Sequence, residues 1–386
     1  MKFQFTDDQL QLRNAARDFA VREMAPIARQ LEDDNQPLSR YHVKRYAEMG
    51  FLGVNVSEEL GGLGLGNIEA LVVLEEFAKV SPAIAFPIFE SSVGPVRAIE
   101  HFAGASLARR IVPSVCAGDM IVAVAMSEPD AGSALTDLKT KADISGGNIT
   151  LNGQKRWCSG GGHADGYVIY ARMSDAPGAK GIGAVFVEKD ADGLSFGEPE
   201  KLMGFRGIPS ADIFLDNVQV PADNIIVPAG GFKKLMEAFD LERCGNATMC
   251  LGIAQASYET ALAYVQERKQ FGKSLADFQA VQLKLAEMIM RIEPARLLIW
   301  RAAQNTTEGL PSILDSSLAK CFANEMVRDV TGAAMQVMGA YGYSKEFPIE
   351  QRLRDGWGWG IAGGAIDIQK INIASALVGR RFNQRD

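Results

Sequence analysis

From Thr6 to about Ala117 apolar positions recur every three to four residues, as in Leu10, Leu12, Ala16, Phe19 and Ala20. That is the period of one helical face. Gly and Pro punctuation such as Gly61-Gly62-Leu63-Gly64 divides the stretch into several helices. From about Met120 to Val227 the period shortens to two, in β-branched runs such as Ile149-Thr150-Leu151, Tyr167-Val168-Ile169-Tyr170, Ala184-Val185-Phe186-Val187 and Ile213-Phe214-Leu215. Gly, Asn and Asp turns separate these runs, which predicts a small β domain. No Pro falls between positions 231 and 269, which predicts one helix roughly 50 Å or more in length. Helical stretches over 276–306, 311–339 and 366–378 follow, with a stripe of Val281, Leu285, Met288 and Ile292 suited to a four-helix bundle. The pattern predicts a mainly α chain with a central β domain, divided into an N-terminal helical domain (1–119), a middle β domain (120–228) and a C-terminal four-helix bundle (229–386).

Composition narrows the class. The 386 residues accommodate two or three packed domains, and 47% hydrophobic with 23% charged residues is an ordinary globular balance. No apolar run approaches the roughly 18 residues of a membrane-spanning helix, and Met1 to Phe5 carries no cleavable-signal pattern, so a cytoplasmic location is expected. A net charge of -7 with scattered Lys and Arg argues against nucleic acid as a partner. The five cysteines (Cys116, Cys158, Cys244, Cys250, Cys321) form no CxxC pair and read as reduced, mostly buried thiols. His42, His101 and His163 lie far apart, and no metal site is expected.

The segment Ala125 to Ser133 reads AMSEPDAGS, and Trp157-Cys158-Ser159 is followed by Gly160, Gly161 and Gly162. Small hydroxyl and glycine residues let backbone N–H groups approach a flat electron-accepting ring, which points to a flavin. Further motifs agree in order and spacing: Phe5-Thr6-Asp7-Asp8-Gln9, Glu59-Leu60-Gly61-Gly62-Leu63-Gly64, Leu151-Asn152-Gly153-Gln154-Lys155, Lys201-Leu202-Met203-Gly204, Asp212-Ile213-Phe214-Leu215-Asp216-Asn217-Val218, Glu267-Arg268-Lys269-Gln270-Phe271-Gly272 with Phe278-Gln279, and Gln336-Val337-Met338-Gly339-Ala340-Tyr341-Gly342-Tyr343. Over nearly its whole length the chain resembles an acyl-CoA dehydrogenase.

The resemblance implies an α domain, a small β-barrel-like domain and an α bundle, with FAD between the last two, a homotetramer built as a dimer of dimers, an acyl-CoA substrate and an electron-transfer flavoprotein as acceptor. It implies that Met126 and Ser127 meet the flavin pyrimidine edge, that Trp157 packs on the ring, and that Ser159, where many relatives have Thr, bonds near N5. Ser133 would meet the CoA arm. Arg268, Phe271, Gln279, Gln336 and Gly339 of a neighbouring subunit would hold the ADP half. Donors at the pyrimidine end stabilise the negative charge that reduction places there, and an Arg suits a pyrophosphate through paired charge-assisted bonds. Singly, Ser127 and Ser133 read equally as turn residues, Trp157 as core, and Arg268 and Gln279 as solvated helix positions. Their joint order and spacing favour the flavin site.

The chain departs from the family at the base. A carboxylate must remove the α-proton while the β-hydrogen leaves as hydride, and its usual place lies about nine residues after an Arg-Asp pair. Here the pair is Arg354-Asp355, and Gly363 stands where the Glu would be; Ala365 replaces a common Thr. The second, isovaleryl-type location, just before an Arg on the first bundle helix, holds Glu242 in Phe239-Asp240-Leu241-Glu242-Arg243. Gly363 would leave room for that carboxylate, and its N–H would polarise the thioester carbonyl. The competing reading of Glu242 is a solvent-facing residue paired one turn away. Asp240 is assigned to the pantetheine arm and Arg243 to the surrounding loop, or both to a surface ion pair. Asp367, one turn beyond Gly363, is another candidate base or a helix-dipole charge; Glu90, in the stretch lining the acyl pocket, is a further one.

Two reactions fit. The first oxidises an acyl-CoA thioester to the 2,3-enoyl-CoA by α-proton abstraction and β-hydride transfer. The alternative is a lyase without net redox, because Ile361-Ala362-Gly363-Gly364 is similar to the tract of sulfinopropionyl-CoA desulfinases. A buried sulfinate needs a cation, yet residues 83–99 offer only Arg97, Phe86 stands where the desulfinase pattern has Arg, and Glu242 replaces a neutral residue. These differences favour dehydrogenation. A binding role or a catalytically silent subunit is the third possibility. Phe86, Pro87, Ile88 and Phe89 predict a short or unusual acyl group, with Gly356-Trp357-Gly358-Trp359-Gly360 either shaping the pocket or forming a packed turn.

Overall fold

Thr6 starts the first helix with a reciprocal cap: its hydroxyl accepts from the Gln9 amide at 3.2 Å, while its own amide donates to Gln9 Oε1 at 3.0 Å. The computed structural model describes residues 4–382, so the first three positions of the Met1–Phe5 lead lie outside the described residues. Helix α1 (Asp7–Phe19) passes through one wider turn into α2 (Ala25–Asp34), followed by α3 (Arg40–Glu48), α4 (Asn67–Val80), α5 (Pro82–Ser92), α6 (Val96–Phe102) and α7 (Ala105–Cys116). Phe19, Tyr46, Phe51 and Phe77 meet with centroids 5.0–6.0 Å apart and form the centre of this helical layer. Helix α5 is apolar on almost every side because it is buried, whereas the buried α4 also carries Glu75, paired with Arg296 at 2.6 Å.

The β layer comprises β1 (Val122–Ala125), β2 (Lys141–Ser145), β3 (Asn148–Ser159), β4 (Gly166–Arg172), β5 (Ile182–Glu188), β6 (Leu194–Phe196), β7 (Ser210–Pro221) and β8 (Ile225–Val227). Strand order is β6-β7-β3-β2-β4-β5-β8, with β1 parallel to β4. The long antiparallel pair β3–β7 runs from Asn148↔Pro221 to Ser159↔Ser210 and slips register between Lys155 and Cys158. The slip lifts Arg156 and Trp157 out of the ladder.

Helix α8 (Phe232–Glu267) is a single rod of 36 residues, about 54 Å at 1.5 Å per residue. A hairpin, β9 (Lys269–Gln270) and β10 (Lys273–Ser274), turns at Phe271 and Gly272, both with positive φ. Helix α9 (Gln279–Gln304), the hairpin β11 (Thr306–Thr307) and β12 (Leu310–Pro311), α10 (Ile313–Met338), α11 (Ala340–Tyr343), α12 (Ile349–Trp359) and α13 (Ile366–Val378) complete the chain. The four bundle helices fall where the periodicity places them. Helix α12 does not, because it runs through the Gly-Trp-Gly-Trp tract, where helix propensity is poor. Packing imposes it: a Cβ on Gly358 would stand 2.4 Å from Phe205 Cζ and one on Gly356 would stand 3.0 Å from Val327 Cγ2. Arg354 ties the same helix to α2 through Glu32 at 2.6 Å.

Candidate active site

The AMSEPDAGS loop is fixed from beneath by a buried ion pair. Glu128 accepts from Lys155 Nζ at 2.8 Å and from the amides of Lys139 and Thr140 at 2.5 and 2.9 Å, and Lys155 also donates to Met126 O at 3.2 Å. Burial alone would raise the Glu128 pKa, yet Lys155 and the Lys139 amide hold it below the usual carboxylate range. The Arg156 amide donates to Ser127 O at 2.9 Å, so the loop carrying Met126 and Ser127 is laced to the β3 bulge. Trp157 sits there with φ +61°, its indole 53% exposed, and Arg156 lies 4.4 Å from the ring centroid, held in turn by Asp212 and Glu200. Ser159, partly buried, ends the strand opposite Ser210. An exposed planar ring in a strained backbone conformation, beside a rigid loop, suits a flat cofactor. Ser133 is exposed on the same loop.

Glu242 lies on α8 between buried neighbours and is itself half-buried. Its carboxyl makes no hydrogen bond or ion pair among the described residues, and burial, opposed by Arg243 and Lys320, pushes its pKa up to about 8. Glu242 is therefore not an exposed surface residue. Gly363 has φ +64°, and the position of its absent Cβ lies 3.7 Å from Phe239 Cζ, 3.6 Å from Asn246 Nδ2 and 3.6 Å from Lys320 Cε. Phe239 and Asn246 flank Glu242 on one helical face at i−3 and i+4. Position 363 thus faces the side of α8 that also carries Glu242.

Asp240 and Arg243 do pair, but in the interior: Asp240 bonds Arg243 and accepts from Ser316 Oγ at 2.7 Å, and both residues are buried. Asp367 is exposed in the first turn of α13, which fits the dipole reading. Arg97 is not a pocket cation. It is consumed by Glu100, by Asn55 O at 2.8 Å and by His101 at 3.0 Å. Phe86 stacks on Phe89 at 5.7 Å, and Trp359 is buried against Phe89 and Phe205. Glu90 is buried with its Oε1 3.7 Å from where a Gly160 Cβ would stand.

Arg268, Phe271, Gln279, Gln336 and Gly339 are all exposed. They cluster where α8 ends, α9 begins and α10 ends, so one end of the bundle carries them all. Glu242 lies some 26 residues up α8, roughly 39 Å away.

Two groups escaped the sequence reading. Lys320 is fully buried and donates to Asn324 Oδ1 at 2.9 Å, Gly364 O at 3.0 Å and Trp359 O at 3.3 Å, so it ties down the loop that carries Gly363. Burial lowers its pKa to about 8. The Glu128–Lys155 pair was the other; the motifs contain both residues, but nothing in the sequence says that they meet.

Family models described as the N-terminal, middle and C-terminal domains of acyl-CoA dehydrogenase match residues 6–119, 123–218 and 229–378. The chain belongs to the acyl-CoA dehydrogenase family. It is a flavoprotein oxidoreductase of that family and uses FAD. A 3-sulfinopropanoyl-CoA desulfinase of Paraburkholderia xenovorans (strain LB400) is 35% identical over 99% of both chains. A probable acyl-CoA dehydrogenase of Mycobacterium tuberculosis (strain ATCC 25618 / H37Rv) is 33% identical over 97% of both. The solved glutaryl-coenzyme A dehydrogenase in complex with glutaryl-CoA is 32% identical, with a TM-score of 0.95 over 100% of this chain and 99% of that one.

Proposed function

We propose that this enzyme oxidises an acyl-CoA to its 2,3-enoyl-CoA with Glu242 as the base. The observation that carries this reading is that the Cβ position of Gly363 meets Phe239 and Asn246, which share a face of α8 with Glu242, whose carboxyl makes no hydrogen bond or ion pair among the described residues. Met126, Ser127, Trp157 and Ser159 would hold the flavin ring of this chain, and FAD, when bound, supplies the acceptor for the β-hydride. Glu242 takes the α-proton from the substrate. The Gly363 N–H polarises the thioester carbonyl and makes that proton more acidic. Ser133, Asp240 and Arg243 hold the CoA arm, Asp240 and Arg243 through a pair made rigid by Ser316. Burial of Trp359 and the Phe86–Phe89 stack keeps water from the acyl end.

The separation of roughly 39 Å along α8 between Glu242 and Arg268 supports a shared cofactor site. Arg268, Phe271, Gln279, Gln336 and Gly339 of one protomer would reach the ADP half of a partner's FAD, in a homotetramer. An electron-transfer flavoprotein is the proposed acceptor, and the cytoplasm the proposed location. Domain divisions at 119/120 and 228/229 follow the change from helix to strand and back.

Desulfination is the second reading, favoured by the 35% identity to a desulfinase and by the Ile361–Gly364 tract. Against it, Arg97 is engaged elsewhere and Phe86 offers no charge. Anaerobic titration of the yellow holoenzyme with a panel of CoA thioesters tests both. Bleaching of the flavin band that Glu242→Gln abolishes is the expected result. Sulfite release from a sulfinyl thioester without bleaching would replace it with the lyase.

A further inference from the structure

Glu90 is the one acidic side chain of α5, a helix otherwise made of apolar and small residues and buried on nearly all sides. It is 6% exposed, and no hydrogen bond or ion pair reaches its carboxyl among the described residues. Its surroundings adjoin the residues proposed above for the flavin and the base. Oε1 lies 3.7 Å from the Cβ position of Gly160, next after Ser159. The neighbouring Phe89 packs against Gly245, where an added Cβ would stand 2.9 Å from Phe89 Cε2, and Gly245 lies one turn from Glu242 on α8. The charges of Glu90 and Glu242 oppose each other, so burial and Glu242 together raise the Glu90 pKa. The nearby cation, Arg40, is held by both oxygens of Asp165 at 2.6 and 2.8 Å, and Lys320, on the Glu242 side, is held by Asn324 and two carbonyls. Tyr167 is the neutral neighbour, with its hydroxyl already committed to Gly160 O, Ala164 O and the Gly162 amide.

A buried carboxyl without a partner is a standing cost that a bound cation removes. We propose that Glu90 is a specificity residue that selects an acyl-CoA whose acyl chain carries a positively charged group, and that it rejects acyl chains ending in carboxylate or sulfinate. The inference rests on reading the surroundings of Glu242 as the acyl site. It also accounts for the missing Arg at Phe86: an anionic acyl group needs a cation there, and a cationic one is repelled by it.

The test uses the native holoenzyme and three thioesters: 4-(trimethylammonio)butanoyl-CoA, its uncharged isostere 5,5-dimethylhexanoyl-CoA, and glutaryl-CoA. Dissociation constants come from perturbation of the flavin spectrum at pH 8. The cation is expected to bind at least tenfold more tightly than its isostere, and glutaryl-CoA at least tenfold more weakly. In Glu90→Gln the gap between cation and isostere should close to within about threefold. Equal or tighter binding of the isostere by the native enzyme overturns the proposal, and so does a gap that survives in Glu90→Gln. The native panel decides even where that variant does not fold. A cation preference in an enzyme whose flavin no thioester bleaches would sink the dehydrogenation reading and leave this one standing.

Discussion

A carboxyl group that titrates near 8 couples both reaction and stability to pH. Glu242 must be ionised to accept a proton, so kcat/KM for thioester oxidation should climb with pH, close to tenfold per unit at low pH, and level off above about 8. An initial-rate profile with a dye acceptor checks this, and a profile flat from pH 6 to 9 would remove Glu242 from the mechanism. Glu242→Gln should slow flavin reduction by about 10²–10⁴-fold in a single turnover. The stability effect has the opposite direction. The folded-state pKa is raised from 4.5, so the contribution of the neutral carboxyl is complete below about pH 4.5 and is lost as pH rises through about 8. Between pH 5 and 8 the native protein should lose stability relative to Glu242→Gln by up to about 1.4 kcal/mol per pH unit, measured by urea denaturation. Glu242 itself was legible as a candidate from its place before Arg243. Its burial was not, since a Glu on a helix reads equally well as a solvated residue.

The active-site walls are separate elements, each held in place by a buried polar contact. Lys155→Met leaves Glu128 buried without its partner and should cost about 3–5 kcal/mol, seen as a lower Tm together with loss of bound FAD, because the AMSEPDAGS loop is released from β3. On the opposite wall Gly363 has φ +64°, with only ordinary contacts of 3.6–3.7 Å around its Cβ position. Gly363→Ala should therefore cost only about 1–2 kcal/mol, the strain of a left-handed residue. The double variant Glu242→Gln with Gly363→Glu should regain bleaching that the single Glu242→Gln variant lacks. Failure of that rescue in a folded, yellow protein would mean that the two positions do not address one space. Periodicity was enough to locate α8, α9, α10 and α13. It gave no sign that Ser316, Ser317, Lys320, Asn324 and Thr331, a polar stripe on α10, are all fully buried.

Across the whole molecule, the proposed shared site at the exposed Arg268, Phe271, Gln279, Gln336 and Gly339 would make cofactor retention a property of the assembly. Dilution that separates protomers should release FAD, and Arg268→Ala should weaken FAD binding by more than tenfold with unchanged helical content, followed by flavin fluorescence and circular dichroism. Retention of FAD by a monomer at high dilution would contradict the shared site. What the sequence by itself determined is local or additive: the helical and strand periods, the acidic balance, the flavin loops, and the absence of a Glu at position 363. Only the tertiary structure decided which charges lose their water. It brought Glu90 beside Gly160, set Gly363 against the face of α8 that carries Glu242, and engaged Arg97 with Glu100, Asn55 and His101. The physical reason is that desolvation and pairing depend on neighbours distant in the chain, and no period in the sequence records them.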